Sequence, residues 1–346
     1  MTANQGPSGP LQSGQTLRDS LVARIRENGP IRFGEYVDAA LYDPVFGFFT
    51  QGGGAGRRGD FLTSPEVGPL FGAVIARALD TWWIELGRPD PFTFVDCGAG
   101  NGTLIRAIAA AEPQCLDALD FVLVERSAAL RARHPQGARR HSLDDLPDAP
   151  VEGVVFANEL LDNLAFDLRQ RTDDGWRDVL VDVDDGGELC ERPSGDSGRA
   201  AHHYAAIEWL RRALDLVQRG RVVVIDYATT TDEMCGRDWR EWVRTYRGHE
   251  RGGHPLSDPG TQDITVEVAL DQLAALRAPQ HDRPQHKFLR NHGIDDLVAE
   301  GQRIWTERAH LGDLAAMKGR SRLRERDALC DATGLGAFRV VEWVID

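Results

Sequence analysis

From Phe92 onward, apolar and polar positions fall into short runs of two kinds, and their alternation predicts the architecture. Residues 92–97, 120–125, 151–157 and 221–227 are near-continuous apolar runs of strand length, as expected of strands covered on both faces. A shorter run at 138–142 predicts a further strand between the second and third of these. Residues 103–111, 127–133 and 202–218 carry helical spacing instead. Strands alternating with helices imply right-handed crossovers and a doubly wound, mostly parallel α/β sheet.

The flanks read differently. Residues 17–25 form an amphipathic pattern closed by Asn28-Gly29-Pro30, and residues 31–40 a second helix stopped by Tyr42-Asp43-Pro44. A glycine/arginine loop occupies 51–59, after which Thr63 or Ser64 caps a helix predicted over about 65–86. Residues 166–189 alternate around Asp173-Asp174-Gly175 and predict a β-hairpin. Residues 229–261 are polar and loop-rich, two helical patterns follow, and 337–344 form a closing strand. The expected organisation is a disordered tail (1–16) and a helical N-terminal cap (17–90), then a Rossmann-like domain (91–346). That domain would carry a hairpin insertion near 166–190 and a loop/helical insertion near 229–300.

Composition narrows the function. With 346 residues and 42% apolar content the chain can bury a substantial core. A net charge of −14 disfavours a non-specific grip on nucleic acid, although arginine supplies nearly all the basic residues and leaves room for a local basic patch. No uncharged apolar run is long enough for a membrane span. Five scattered cysteines without a C-x-x-C fit reduced thiols and an expected cytoplasmic location. The ten histidines lack ligand spacing, so no metal is expected.

The chemistry concentrates where the first strand ends: Phe94-Val95-Asp96-Cys97-Gly98-Ala99-Gly100-Asn101-Gly102-Thr103-Leu104. Glycines there let backbone approach a ligand closely, ahead of a helix N-terminus. A dinucleotide fingerprint places its third glycine three positions after the second. Here Gly102 comes two after Gly100, which disfavours a nicotinamide oxidoreductase and matches an S-adenosyl-L-methionine loop. Asp96 is then expected to orient the loop or the ligand's amino group. Glu125, ending the second strand, is positioned to take ribose hydroxyls. Asp144 and Asp145 suit either an adenine amine or a polar loop before Pro147. The fourth strand ends in Asn158-Glu159-Leu160-Leu161-Asp162-Asn163, and Glu159 and Asp162 share a face if the segment turns helically. Paired carboxylates there suit a cationic guanidinium as methyl acceptor; the same pair also suits helix capping.

With these residues in place, the sequence resembles the MidA-like methyltransferase family, whose mitochondrial members assist respiratory complex I assembly by methylating an arginine. The resemblance runs from about Ile31 to Val340. It rests on Ala40-Leu41-Tyr42-Asp43-Pro44, Gly59-Asp60-Phe61-Leu62-Thr63-Ser64-Pro65-Glu66-Val67, the glycine loop and Asn158 to Asn163. Gly220 to Tyr227, His254-Pro255-Leu256 and Asp263-Ile264-Thr265 continue it. It implies a class I fold, a SAM cofactor, and a pocket wall at 59–66 in which Asp60, Thr63, Ser64 and Glu66 contact the cofactor. Cofactor contacts would also come from Asp96, Gly98, Ala99, Gly100, Gly102, Glu125, Asp145 and Asn158, with Asn158, Glu159 and Asp162 at the reacting end. The family usually reads N-E-F-F-D-A-L-P-V where this chain has Asn158 to Phe166 without the proline or the paired aromatics, so the wall nearest the methyl acceptor differs. The expected function is methylation of a protein side chain, arginine among the candidates. The alternatives are a small-molecule acceptor or a SAM-binding assembly factor without turnover.

Overall fold

In the computed structural model, which describes residues 16–53, 63–195, 198–248 and 250–346, the chain opens with α1 (Leu17–Asn28), β1 (Ile31–Arg32) and α2 (Phe33–Tyr42). Thr16 and Asp19 form a capping box that starts α1. The helix expected from Ile31 begins only at Phe33, because Ile31 and Arg32 pair with Val181 and Leu180 as a short strand. Of the expected disordered tail (1–16), Thr16 instead caps α1, and residues 1–15, like most of the 51–59 loop, lie outside the described residues.

The single helix expected over 65–86 is two, α3 (Ser64–Val67) and α4 (Pro69–Glu85). Pro69 disfavours a helical residue before it, and a Cβ on Gly68 would stand 2.3 Å from the carboxyl carbon of Glu325. That carboxylate accepts the Leu70 N–H at 2.9 Å and fixes the break.

The α/β alternation then follows with β2 (Phe92–Cys97), α5 (Thr103–Ala110), β3 (Leu119–Val124), α6 (Ala128–Arg131), β4 (Arg140–Leu143) and β5 (Val151–Asn158). Next come β6 (Asp167–Thr172), β7 (Gly175–Val183), β8 (Leu189–Arg192), β9 (Arg199–His202), α7 (Tyr204–Leu216), β10 (Val217–Asp226) and β11 (Ala228–Thr229). After them lie α8 (Thr231–Cys235), α9 (Trp239–Trp242), β12 (Val243–Arg247), β13 (Glu250–Arg251), β14 (Asp263–Val266), β15 (Val268–Ala269) and α10 (Leu270–Leu276). The chain closes through β16 (His281–Pro284), α11 (Gln285–Asn291), α12 (Ile294–Arg308), α13 (Leu314–Leu329) and β17 (Arg339–Ile345).

The central sheet runs β16-β17-β10-β5-β2-β3-β4. β17 is antiparallel to both neighbours, while β10, β5, β2, β3 and β4 are mutually parallel. Strand order therefore reverses between β2 and β5, and a ligand crevice is expected beyond their carboxyl ends. Successive residues of β2 face opposite cores: Phe94 packs with α4 and α5, and Val95 with α7. The expected β6–β7 hairpin exists, but as the middle of a five-stranded antiparallel sheet that also takes β1, β8 and β9. Residues 229–261, expected as loops, contain α8, α9 and the β12–β13 pairing; Trp239 and Trp242 are fully buried there. The expected 17–90 cap divides between two cores. Leu17 to Phe48 pack with Phe166, Trp239 and Ile264, whereas Val67 to Trp82 join the face of the central sheet. Among the described residues no helix is long and apolar enough to cross a membrane.

Candidate active site

A cleft of about 940 Å³ opens beyond the carboxyl ends of β2, β3 and β5. The glycine loop forms one side. Gly98, Gly100 and Gly102 have φ of +74°, +53° and +75°, the left-handed region that disfavours other residues. The Gly98 and Ala99 N–H groups donate to the Val124 carbonyl, clamping the loop to β3. A Cβ on Gly102 would meet Pro135 at 2.8 Å, but one on Gly100 would meet nothing within 4 Å. At Gly100 the backbone thus presents itself directly to the cleft.

Glu125 holds this loop in place. Its carboxylate accepts the Gly100 N–H at 3.1 Å and the Ser127 N–H at 2.9 Å. Burial raises its pKa above the ordinary value. Asp96 is 4% exposed, and its Oδ2 has no partner among the described residues. Burial, with the Glu125 charge adding, pushes it up to about 7. Asp144 and Asp145 line the same cleft, where Asp145 pairs with Arg212 at 2.9 Å.

The opposite wall comes from α3. Thr63, Pro65 and Glu66 line the cleft, and Glu66 accepts the Thr103 hydroxyl at 2.6 Å, tying this wall to the first turn of α5. Ser64, expected among the cofactor contacts, is instead fully buried behind this wall and does not line the cleft; its hydroxyl donates to the fully buried Gln285 at 3.1 Å. Asp60 lies outside the described residues.

The end of β5 departs from the helical turn expected there. Glu159 adopts φ +53°, and residues 161–163 form a single 3-10 turn. Glu159 and Asp162 consequently do not share a face. Glu159 lines the cleft, with Oε1 accepting the Ser64 N–H at 3.0 Å and the Asn158 amide at 2.9 Å. Burial pushes its pKa up to about 8, and the Asp162 charge adds to that rise. The Asp162 carboxylate instead takes the Tyr227 hydroxyl and does not line the cleft. Asp226 shapes the turn: its carboxylate accepts the N–H groups of Leu161 at 3.0 Å, Asp162 at 3.3 Å and Tyr227 at 3.0 Å.

Sequence reasoning missed several contributors. His134, 4% exposed, bridges Ser142 Oγ (2.8 Å) and the Gly100 carbonyl (3.0 Å). Burial lowers its pKa, so the ring is neutral, with Nε2 donating to Gly100 and Nδ1 accepting from Ser142. A lone loop histidine carries no sequence signal for that role. Tyr42 stacks on Phe49 at 5.3 Å and lies 4.0 Å beneath the Arg126 guanidinium, building an aromatic wall. Asp226 and Tyr227 were detectable, since an acid and a phenol close the last parallel strand at the sheet's ligand edge.

A family model described as an S-adenosyl-L-methionine-dependent methyltransferase matches residues 74–283. The chain belongs to this family. The match runs from within α4 into β16 and takes in the five parallel strands, the glycine loop and the end of β5, but not β17. A COG1565 superfamily member from Burkholderia thailandensis, bound to S-adenosyl-homocysteine, has a similar fold, with a TM-score of 0.80 at 28% identity. It covers 95% of this chain and 92% of its own. The mitochondrial protein arginine methyltransferase NDUFAF7 of Homo sapiens is 28% identical over 337 residues, covering 80% of this chain and 73% of its own. That of Danio rerio is 28% identical over 334 residues, covering 82% and 78%. This methyltransferase therefore has a class I fold and uses S-adenosyl-L-methionine as its methyl donor. The cleft fits that cation: backbone is open at Gly100, and buried Asp96 has an unpartnered carboxylate oxygen.

Proposed function

We propose that this methyltransferase modifies a guanidinium nitrogen of a protein arginine, with Glu159 receiving the methyl acceptor. The observation that carries this reading is the composition of the β5 terminus. Glu159 faces the cleft, and the Asn158 Oδ1 beside it is buried with no partner among the described residues. Such a surface offers hydrogen-bond acceptors and little else, and a guanidinium offers donors and positive charge in a planar fork. The names of the curated relatives, protein arginine methyltransferases, support the same class.

In this reading the loop Gly98–Gly102 and Glu125 hold the nucleoside, and Asp96 faces the cofactor's cationic end. Thr63 and Glu66 close the wall opposite, and Asp145 stands at the rim with Arg212. The bound cofactor supplies an electrophilic methyl carbon. Transfer would form the new N–C bond as the methyl–sulfur bond breaks, its electron pair staying on sulfur; the acceptor nitrogen must shed a proton, and Glu159 is placed to orient the guanidinium and take it. A left-handed non-glycine residue costs about 1–2 kcal/mol, and strain of this kind concentrates at functional sites. Ser64 and Asn158 hold Glu159 there, leaving Oε2 for the substrate. A cytoplasmic setting belongs to the same proposal, supported by five cysteines that are all free.

The test is transfer of labelled methyl from S-adenosyl-L-methionine to arginine-containing and lysine-containing proteins, with the labelled residue identified after hydrolysis. Label on arginine is expected, with Glu159→Gln lowering turnover by roughly 10²–10⁴-fold while cofactor binding persists. Label on another residue, or an unaffected Glu159→Gln, overturns the proposal. Label confined to small molecules would favour the metabolite reading, for which Tyr42, Phe49, Tyr204 and Trp209 supply an aromatic lining.

A further inference from the structure

Far along the chain from the glycine loop, α12 and α13 form an antiparallel hairpin. Glu300 pairs with Arg322, and a Cβ on Gly301 would stand 2.7 Å from the Gly319 carbonyl, so the two backbones touch. The hairpin closes at residues 309–312, and its tip is unusual. Leu311, Leu314 and Met317 are 56%, 66% and 60% exposed, the most exposed large apolar side chains among the described residues. Leu314 and Met317 are three apart on α13 and share a face. Partly buried Trp305 stands on the neighbouring helix, with the Arg320 guanidinium 5.1 Å from its ring.

The charge of this tip opposes that of the rest of the molecule. Residues 303–324 contain six basic and two acidic residues, in a chain of net charge −14. Of the two acids, Asp313 is engaged by Arg308 and by the Ala316 N–H. Lys318 and Arg324 are exposed and form no ion pair among the described residues.

We propose that this hairpin tip seats the protein peripherally on an anionic lipid surface, with Leu311, Leu314 and Met317 entering the headgroup boundary and Lys318, Arg320 and Arg324 contacting phosphate. Apolar residues flanked by cations are the composition of an interfacial segment. Their place at the outer end of a helical turn suits insertion. A partner helix would need a groove to lie in.

The experiment is co-sedimentation of the full chain with phosphatidylcholine vesicles, with or without about a third phosphatidylglycerol, a composition chosen to give the surface potential that attracts basic segments. Wild type should pellet with the anionic vesicles despite its own negative charge, and release in high salt. Leu314→Ser/Met317→Ser and Lys318→Glu/Arg324→Glu should each weaken partitioning by about tenfold or more. All four positions are exposed, so cofactor binding by both variants serves as the folding control. Absence of wild-type binding to anionic vesicles, or equal binding by both variants, overturns the proposal. So does self-association without vesicles that Leu314→Ser/Met317→Ser abolishes, since the tip would then join two copies of the chain.

Discussion

Gly100 and Gly102 share a backbone conformation but differ in what surrounds them, so one substitution made at each separates folding from cofactor binding. Alanine in the left-handed region costs about 1–2 kcal/mol. At Gly100 nothing else is added, because its Cβ would stand in open space. At Gly102 the Cβ would press on Pro135 at 2.8 Å and Leu123 at 3.0 Å, adding about 1–3 kcal/mol of overpacking. Unfolding entropy near 2.1 cal/mol/K per residue converts each kcal/mol into about 1.4 °C for a chain of 346 residues. Thermal unfolding of the cofactor-free protein should therefore fall by about 1–3 °C for Gly100→Ala and about 3–7 °C for Gly102→Ala. Calorimetric titration with S-adenosyl-L-methionine should reverse the order. A methyl group where the backbone must meet the ligand should weaken Gly100→Ala by about tenfold or more, the equivalent of 1.4 kcal/mol. Wild-type affinity in Gly100→Ala would refute the assignment of this loop to the cofactor, and a larger thermal loss there than in Gly102→Ala would refute the steric reasoning.

Removing the His134 ring leaves the Gly100 carbonyl and the Ser142 hydroxyl without their shared partner. His134→Ala should cost about 1–3 kcal/mol of stability and raise the KM for cofactor while kcat at saturation holds; an equal fall in kcat would show that the ring does more than position the loop. Desolvation pushes buried Asp96 and partly buried Glu159 up to about 7 and about 8. Above pH 7, where His203 and His292, lowered by burial to about 4, are neutral in both states, Glu159 holds its proton longer in the folded state, and its contribution to the stability of the cofactor-free protein falls as pH rises toward 8. Urea midpoints measured from pH 7 to 8 check the sign, and a rising midpoint contradicts it. The cationic cofactor favours ionised Asp96, so its affinity should increase across the same window.

The parts of the site legible in the sequence are those fixed by near neighbours in the chain. β2, the three glycines and α5 form one continuous segment, and Glu125 ends the next strand at the height its apolar run predicts. What stayed hidden depends on distant residues. The break at Gly68 is set by Glu325, and Ile31 is extended because it meets Val181. Order in residues 229–261 rests on burying Trp239 and Trp242 and on pairing β12 with β14, neither of which polar composition reveals. The Glu159/Asp162 pairing failed for a related reason. A spacing of three implies a shared face only on a helix, and the backbone there is bent by Asp226, a residue 64 positions beyond Asp162.

That bend divides the labour of two carboxylates that looked equivalent in sequence. Asp162 is committed to Tyr227, and Asp226 holds the N–H groups around it, so these groups define the shape of the turn. Glu159, rotated into the left-handed region, is freed from the turn and presented to the cleft. A carboxyl pushed up to about 8 is neutral at pH 7 until a cation arrives to favour its charge. In the proposed reaction, a guanidinium entering the cleft would favour the ionised carboxylate, and the displaced proton would leave as the substrate's charge arrives. In that reaction, the same environment that makes Glu159 a poor anion alone would favour a positively charged methyl acceptor, at the residue placed to take up the proton released on transfer.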